Sequence, residues 1–133
     1  MVQYIYISNR LNSYMDFLFI VARVLLGGFF IMNGYNHIVK SKGLIGYAAS
    51  KKVPQPKAAV LVTGIMLLLG GLGIVFWTNI DVAVLLLSVY LIVTSFVMHA
   101  FWAEKDANVK MNEYVAFTKN IALLGAVLAL LAI

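Results

Sequence analysis

The chain has no cysteine, and that absence removes disulfides, thiolate metal sites, iron–sulfur ligation and thiol redox chemistry together. Charge is scarce as well. Asp, Glu, Lys and Arg make up 11% of the residues, and the 5 acids are outnumbered by 10 basic side chains. Carboxylates are confined to loops and helix ends, and neither His37 nor His99 has a second histidine four residues on. A metal centre or a bis-histidine haem therefore lacks its ligands, and none is expected. The 2 prolines both lie in "VPQPK", where Pro56 suits a first helical turn because that position has no amide partner to lose. Internal repeats and low-complexity segments are missing too.

What the sequence has in quantity is apolar surface. Hydrophobic residues are 63% of the 133, and a mean hydropathy of +0.96 lies far outside the soluble range. This composition means a membrane protein, read as a single domain over 1–133. A net charge of +5 would suit nucleic acid, but the basic residues punctuate apolar runs instead of lining one polar or aromatic face. They read as loop charge facing anionic lipid headgroups, and nucleic acid is not an expected partner.

Apolar runs of membrane-crossing length cover residues 15–38, 57–76, 81–101 and 114–133, each close to the roughly 20 residues a helix needs to cross about 30 Å of hydrocarbon. Backbone amides cannot stay unpaired there, so the spans are helices. The predicted fold is all-α, an antiparallel bundle of four transmembrane helices. The first run is too long for a signal peptide, is interrupted by Arg23 and has no small-residue cleavage site, so it is expected to remain in the mature protein. "TNID" predicts a tight hairpin between the second and third spans, with Thr78 or Asn79 as cap and Asp81 against the helix dipole. Asn112 and Glu113 predict the start of the fourth helix, after a mixed-charge loop over 103–111. Residues 1–14 read as an amphipathic lead-in whose Tyr4, Tyr6 and Tyr14 sit at headgroup level. Lys40, Lys42, Lys51, Lys52, Lys57, Lys105 and Lys110 fall on one side of the membrane, against Arg10 on the other. Both termini are therefore expected outside the cytoplasm and the lysine-rich 39–57 loop inside it.

The polar residues within the spans carry the functional signal. Arg23, Gly27, Phe30, Gly34 and His37 follow at intervals of four and three and share a helix face. Ser88, Ser95, His99 and Trp102 do the same in the third span, and Glu113, Phe117 and Asn120 in the fourth, with Lys119 beside them. Antiparallel succession lets Asn33, Asn36, His37, His99, Trp102, Glu113, Lys119 and Asn120 converge at one membrane surface. Arg23 lies deeper, toward the other surface. A charge at mid-bilayer costs on the order of 3 kcal/mol, so Arg23 calls for a partner, for which Asp16 and Asp81 are the candidates. Lys119 can snorkel or meet Glu113, Glu104 or Asp106. Gly27 and Gly34, with Gly64 and Gly71, mark close helix approach. "GGLG" lies inside an apolar span and has no phosphate-loop meaning.

Taken together, "RVLLGGFFIMNG", "VPQP", the Gly70–Gly71 pair, "HAFW" and "FTKNIALLGAVL" resemble the DoxX family of small four-helix membrane proteins, in the same order and over nearly the whole chain. The resemblance implies a four-helix bundle in a prokaryotic cell membrane. It also implies relatives linked to the quinone-reducing membrane subunit of thiosulfate oxidation and to oxidative-stress complexes. Without a cysteine or an appended soluble domain, this chain cannot itself take sulfur onto a thiol. Two roles follow as expectations. One is a non-catalytic accessory subunit of a larger membrane complex, respiratory in kind, or a homo-oligomer. The other is the quinone- or lipid-headgroup-binding membrane part of an oxidoreductase, with quinone or phospholipid held non-covalently. There His99 and Lys119 would meet a carbonyl or phosphate, Trp102, Phe101 and Phe117 would form apolar walls, and Asn120, His37 and Asn33 would stand nearby. Transport is disfavoured, because no carboxylate lies inside the spans and discontinuous helices are not suggested.

Overall fold

A computed structural model describes residues 2–132, with side chains from residue 12 to residue 132. The side chains of Tyr4, Tyr6 and Arg10 lie outside the described residues. The chain runs as α1 (Val2–Val39), α2 (Ser41–Ser50), α3 (Pro56–Phe76), α4 (Ile80–Val97), a 3₁₀ turn (Phe101–Ala103), α5 (Ala107–Ala129) and a closing 3₁₀ turn (Leu130–Ala132). Among the described residues the 4 membrane-length apolar segments are Asn12–Val39, Pro56–Phe76, Ile80–Ala103 and Ala107–Ala132. The protein is an all-α bundle of four such helices.

Close backbone contacts join α1 to α3, α3 to α4, and α4 to α5, while α2 lies across the start of α3. Phe30, Leu67, Ile74, Leu87, Leu91 and Val127 are fully buried between the helices. Leu25, Leu85 and Phe96 stand well exposed on the outside. That inversion is what a bilayer permits, because lipid tails solvate leucine as well as a protein core does. Helix association must then come from close packing, and glycine supplies it between α1 and α3. A Cβ on Gly27 would lie 2.7 Å from the Gly71 carbonyl oxygen, and one on Gly34 would lie 2.9 Å from that of Gly64.

Three boundaries depart from the sequence reading. The 39–57 segment contains α2, whose Ala48 is buried against α3, so it is not an open loop. Helix α5 begins at Ala107, well before Asn112, because Asp106 takes the cap and accepts from the Asn108 and Val109 amides at 2.9 and 3.0 Å. Such a cap is worth about 1 kcal/mol. Helix α4 stops at Val97, where the Met98 and His99 amides both turn onto the Thr94 carbonyl at 2.9 and 3.2 Å. At the hairpin, Asn79 occupies the N-cap of α4 with φ 46° and makes no side-chain capping bond.

Arg23 has neither of its expected partners. Its guanidinium carbon sits 5.4 Å from the Phe19 ring centre and 5.7 Å from that of Trp77, and among the described residues no ion pair joins it to Asp16 or Asp81. Trp77 directly follows α3, so the glycine register of α1 on α3 sets Arg23 level with the bundle's edge. There its Nε is buried without a hydrogen-bond partner among the described residues, and the aromatic faces favour the guanidinium by about 0.5–2 kcal/mol.

Candidate functional site

The end of α1, all of α2, the start of α3, the end of α4 and the start of α5 meet at one surface of the bundle. There the chain buries a carboxylate. Glu113, in the second turn of α5, is 7% exposed. Its Oε1 accepts from the Tyr47 hydroxyl at 2.6 Å and pairs with the Lys51 ammonium at 2.9 Å. Its Oε2 lies 2.8 Å from Nδ1 of His99. Lys51 also reaches Glu104 at 2.6 Å, and the Tyr47 hydroxyl lies 3.2 Å from the Met98 carbonyl oxygen.

Local structure explains how these groups arrive. Tyr47 and Lys51 are four residues apart at the end of α2, so one helix face delivers both. The break after Val97 frees His99 from the helical path of α4 and turns its ring toward Glu113. Three donors around one carboxyl group require it to be the ionised acceptor. Burial, reinforced by the Glu113 hydrogen bond, pushes the Tyr47 phenol above its ordinary range and keeps it a donor. Burial works to lower the Lys51 ammonium, but hydrogen bonds to Glu104 and Glu113 outweigh it and raise the group above the usual lysine value.

Beside this cluster lies a cavity of about 250 Å³. Asn33 and His37 of α1, Tyr47 of α2, Thr63 of α3, Tyr90 of α4 and His99 line it, with Leu44, Val60 and Val97 among its apolar walls. His37 holds its Nδ1 at 2.8 Å from the Asn33 carbonyl oxygen, one turn back. Its ring stands edge-on to Tyr90, 6.1 Å between centres. Val93 and Val97 of the wall are exposed at 51% and 47%, so α4 adds apolar side chains to the outer rim of the cavity.

Residues 18–100 match the family model described as DoxX. The chain belongs to the DoxX family. The match takes in Tyr47, Lys51 and His99 and stops before Glu113, so in this DoxX chain the carboxylate that organises the cluster lies beyond the matched segment. Neither a search of the curated proteins nor one of the solved structures returned a match.

Asn33, His37 and His99 come together around the DoxX cavity; the other candidates do not join them. Lys119 is exposed, and its ammonium rests 6.0 Å from the Phe29 ring centre, without an ion pair to Glu113, Glu104 or Asp106 among the described residues. One turn and a half along α5, it points away from the side that Glu113 presents to α4. Asn120 is buried and donates to the Thr94 hydroxyl at 3.3 Å, a clamp between α5 and α4. Trp102 and Phe117 form no cavity wall. They pack with each other at 5.8 Å and with Phe101 at 5.1 and 5.5 Å, pinning the 3₁₀ turn onto α5. Ser88 and Ser95 do not share a line with His99, since α4 ends between them; Ser95 donates to the Leu91 carbonyl at 2.6 Å. Among the described residues no group of three or more His, Cys, Asp or Glu is placed to hold a metal ion.

Sequence reasoning missed Tyr47, Lys51 and Tyr90. The first two were hidden in a supposed loop, although "SKGLIGYAASK" has the small and apolar content of a helix and puts Tyr47 four residues before Lys51.

Proposed function

We propose that this DoxX protein binds the polar ring head of a membrane-soluble, quinone-class ligand in the cavity beside His99, with the ligand's apolar tail left in the bilayer. The carrying observation is a histidine fixed through Nδ1 by a buried carboxylate, at the edge of a cavity that sets a few polar side chains among apolar walls. A volume of about 250 Å³ is below the roughly 300–1,000 Å³ of pockets that enclose whole drug-sized ligands, and so suits a head group rather than an entire lipid. The remaining ring nitrogen, Nε2, is available to a ligand oxygen. Glu113 holds the imidazole in one tautomer and one orientation, as second partners of functional histidines do. Calorimetric titration of the purified protein with a short-tailed benzoquinone couple tests this. His99→Phe is expected to weaken binding about 10- to 100-fold, the loss of one strong hydrogen bond, in a variant that still folds but melts lower, because Glu113 loses one of its three partners. Equal affinity in the variant would remove the site from the cavity.

A subunit role finds support elsewhere in the chain. Tyr14, Met15, Phe17 and Leu18 are 57–65% exposed on the part of α1 that precedes the Phe19–Trp77 contact. Past that level α1 has outrun α3, so these side chains suit a neighbouring membrane protein. Gentle extraction is expected to retain a stoichiometric partner chain that Phe17→Asp/Leu18→Asp releases; a wild-type protein that purifies alone defeats this role.

The lysine-rich surface bearing α2 is proposed to face the cytoplasm, following the excess of lysine there. Because the chain has no cysteine, Lys52→Cys and Asn79→Cys can be labelled singly in intact cells. An impermeant maleimide is expected to reach Asn79→Cys and to spare Lys52→Cys; the reverse pattern inverts the topology.

A further inference from the structure

The hydrogen atoms in the cavity are assigned by the partners its side chains already have, and their distribution bears on which form of the proposed ligand fits. Nδ1 of His37 faces a backbone carbonyl oxygen at 2.8 Å, and Nδ1 of His99 faces a carboxylate oxygen at 2.8 Å. Both oxygens can only accept, so both Nδ1 atoms carry a proton, and in the neutral form of either ring Nε2 is left as a bare lone pair. The hydroxyl of Thr63 is spent as a donor on the Ala59 carbonyl at 2.8 Å, which leaves its oxygen an acceptor, while that of Thr94 donates to the Tyr90 carbonyl at 2.7 Å and already accepts from the Asn120 amide at 3.3 Å. The single hydroxyl hydrogen of Tyr47 is taken by Glu113 and the Met98 carbonyl. Asn33 donates one N–H to the Phe29 carbonyl at 2.7 Å and keeps its carbonyl oxygen and one further N–H. Against this excess of acceptors the cavity can set only that N–H and the Tyr90 hydroxyl as donors.

We infer that the cavity reads donors: it prefers the dihydroxy-aromatic, reduced form of the head group to the dicarbonyl, oxidised form. The inference rests on the proposed quinone-class reading and adds its direction. Two ligand hydroxyls supply the hydrogens that Nε2 of His37 and Nε2 of His99 lack. A carbonyl in either place sets lone pair against lone pair and leaves a buried acceptor unpaired, which is how polar sites discriminate between otherwise isosteric ligands. No electron transfer is required of this chain; the preference is one of binding alone.

The test is anaerobic titration of the intact protein in nanodiscs with a decyl-benzoquinone and with its hydroquinone, at about pH 8.5, above the ordinary imidazole range. The hydroquinone is expected to bind at least about tenfold more tightly. In spectroelectrochemistry the bound couple then shifts upward by about 30 mV for each tenfold preference. His37→Phe and His99→Phe are each expected to reduce the ratio, with folding checked by the melting point. Equal binding of the two forms, or tighter binding of the quinone, overturns the inference and leaves the cavity reading standing. Failure of the wild-type protein to bind either form overturns both.

Discussion

Glu113→Leu is expected to destabilise the protein by about 3–5 kcal/mol, the usual consequence of removing one partner from a buried ionic cluster. Lys51 and His99 would lose their shared acceptor, and the Tyr47 hydroxyl would keep only its longer contact to Met98. Three pieces of chain meet at this carboxylate, α2, α5 and the residues after α4, and Lys51 ties the Glu104 segment to them. Its loss therefore loosens one whole end of the bundle. Unfolding in mixed detergent micelles measures the effect. Glu113→Gln should lose less, since an amide oxygen still accepts from Tyr47 while the pairing with Lys51 weakens. In a double-mutant cycle, Lys51→Met and Glu113→Leu should couple by more than about 1 kcal/mol, beyond the error of additivity for distant sites. Lys119→Met is the control and should fall within about 0.5 kcal/mol of the parent. A large loss at Lys119 with none at Glu113 would return the site to α5's lysine and refute the cluster.

The second large effect is expected at the glycines between α1 and α3. A methyl group at position 71 would lie 2.7 Å from the Gly27 carbonyl oxygen and 2.9 Å from the Ile31 amide nitrogen. Both are backbone atoms, so no rotamer change relieves the clash and the helices must separate. Overpacking of this kind costs about 1–3 kcal/mol for Gly71→Ala; Gly71→Leu should prevent the α1–α3 pair from docking at all. Gly64→Ala carries an additional consequence, since its methyl would meet the His37 Cβ at 2.8 Å. It should reduce ligand affinity as well as melting temperature. Gly28 and Gly125 have open space where a Cβ would go, and alanine there should be neutral or stabilise by up to about 1 kcal/mol through helix propensity. Equal tolerance at positions 71 and 28 would show that α1 and α3 do not approach as described.

The helical class, the membrane and the α1–α3 seam were legible because each depends on composition or short-range period. Twenty apolar residues imply a span wherever they occur, and glycines spaced seven apart return to one helix face. The site was less legible. His37, Asn33 and His99 could be named because a polar residue in an apolar run is conspicuous, and lysine at position 119 was conspicuous for the same reason. Its contacts show why that signal misleads: an ammonium near a helix start can reach outward along its own stem, here over Phe29. The ammonium that matters belongs to Lys51, unremarkable among neighbouring lysines until α2 folds across α3.

By itself, the sequence determined that this chain enters a membrane as four helices, because hydrocarbon leaves the backbone no other way to satisfy its amides. It also determined that α1 and α3 can touch, because only glycine lets two backbones come so near. Tertiary structure alone decided which charges meet. Tyr47, Lys51, His99 and Glu113 are separated by up to 66 positions, and no local rule couples them. Their meeting depends on where α2 turns back, where α4 stops and how far Asp106 extends α5 toward its start, and those termini are set by packing against neighbours that a linear reading does not bring together.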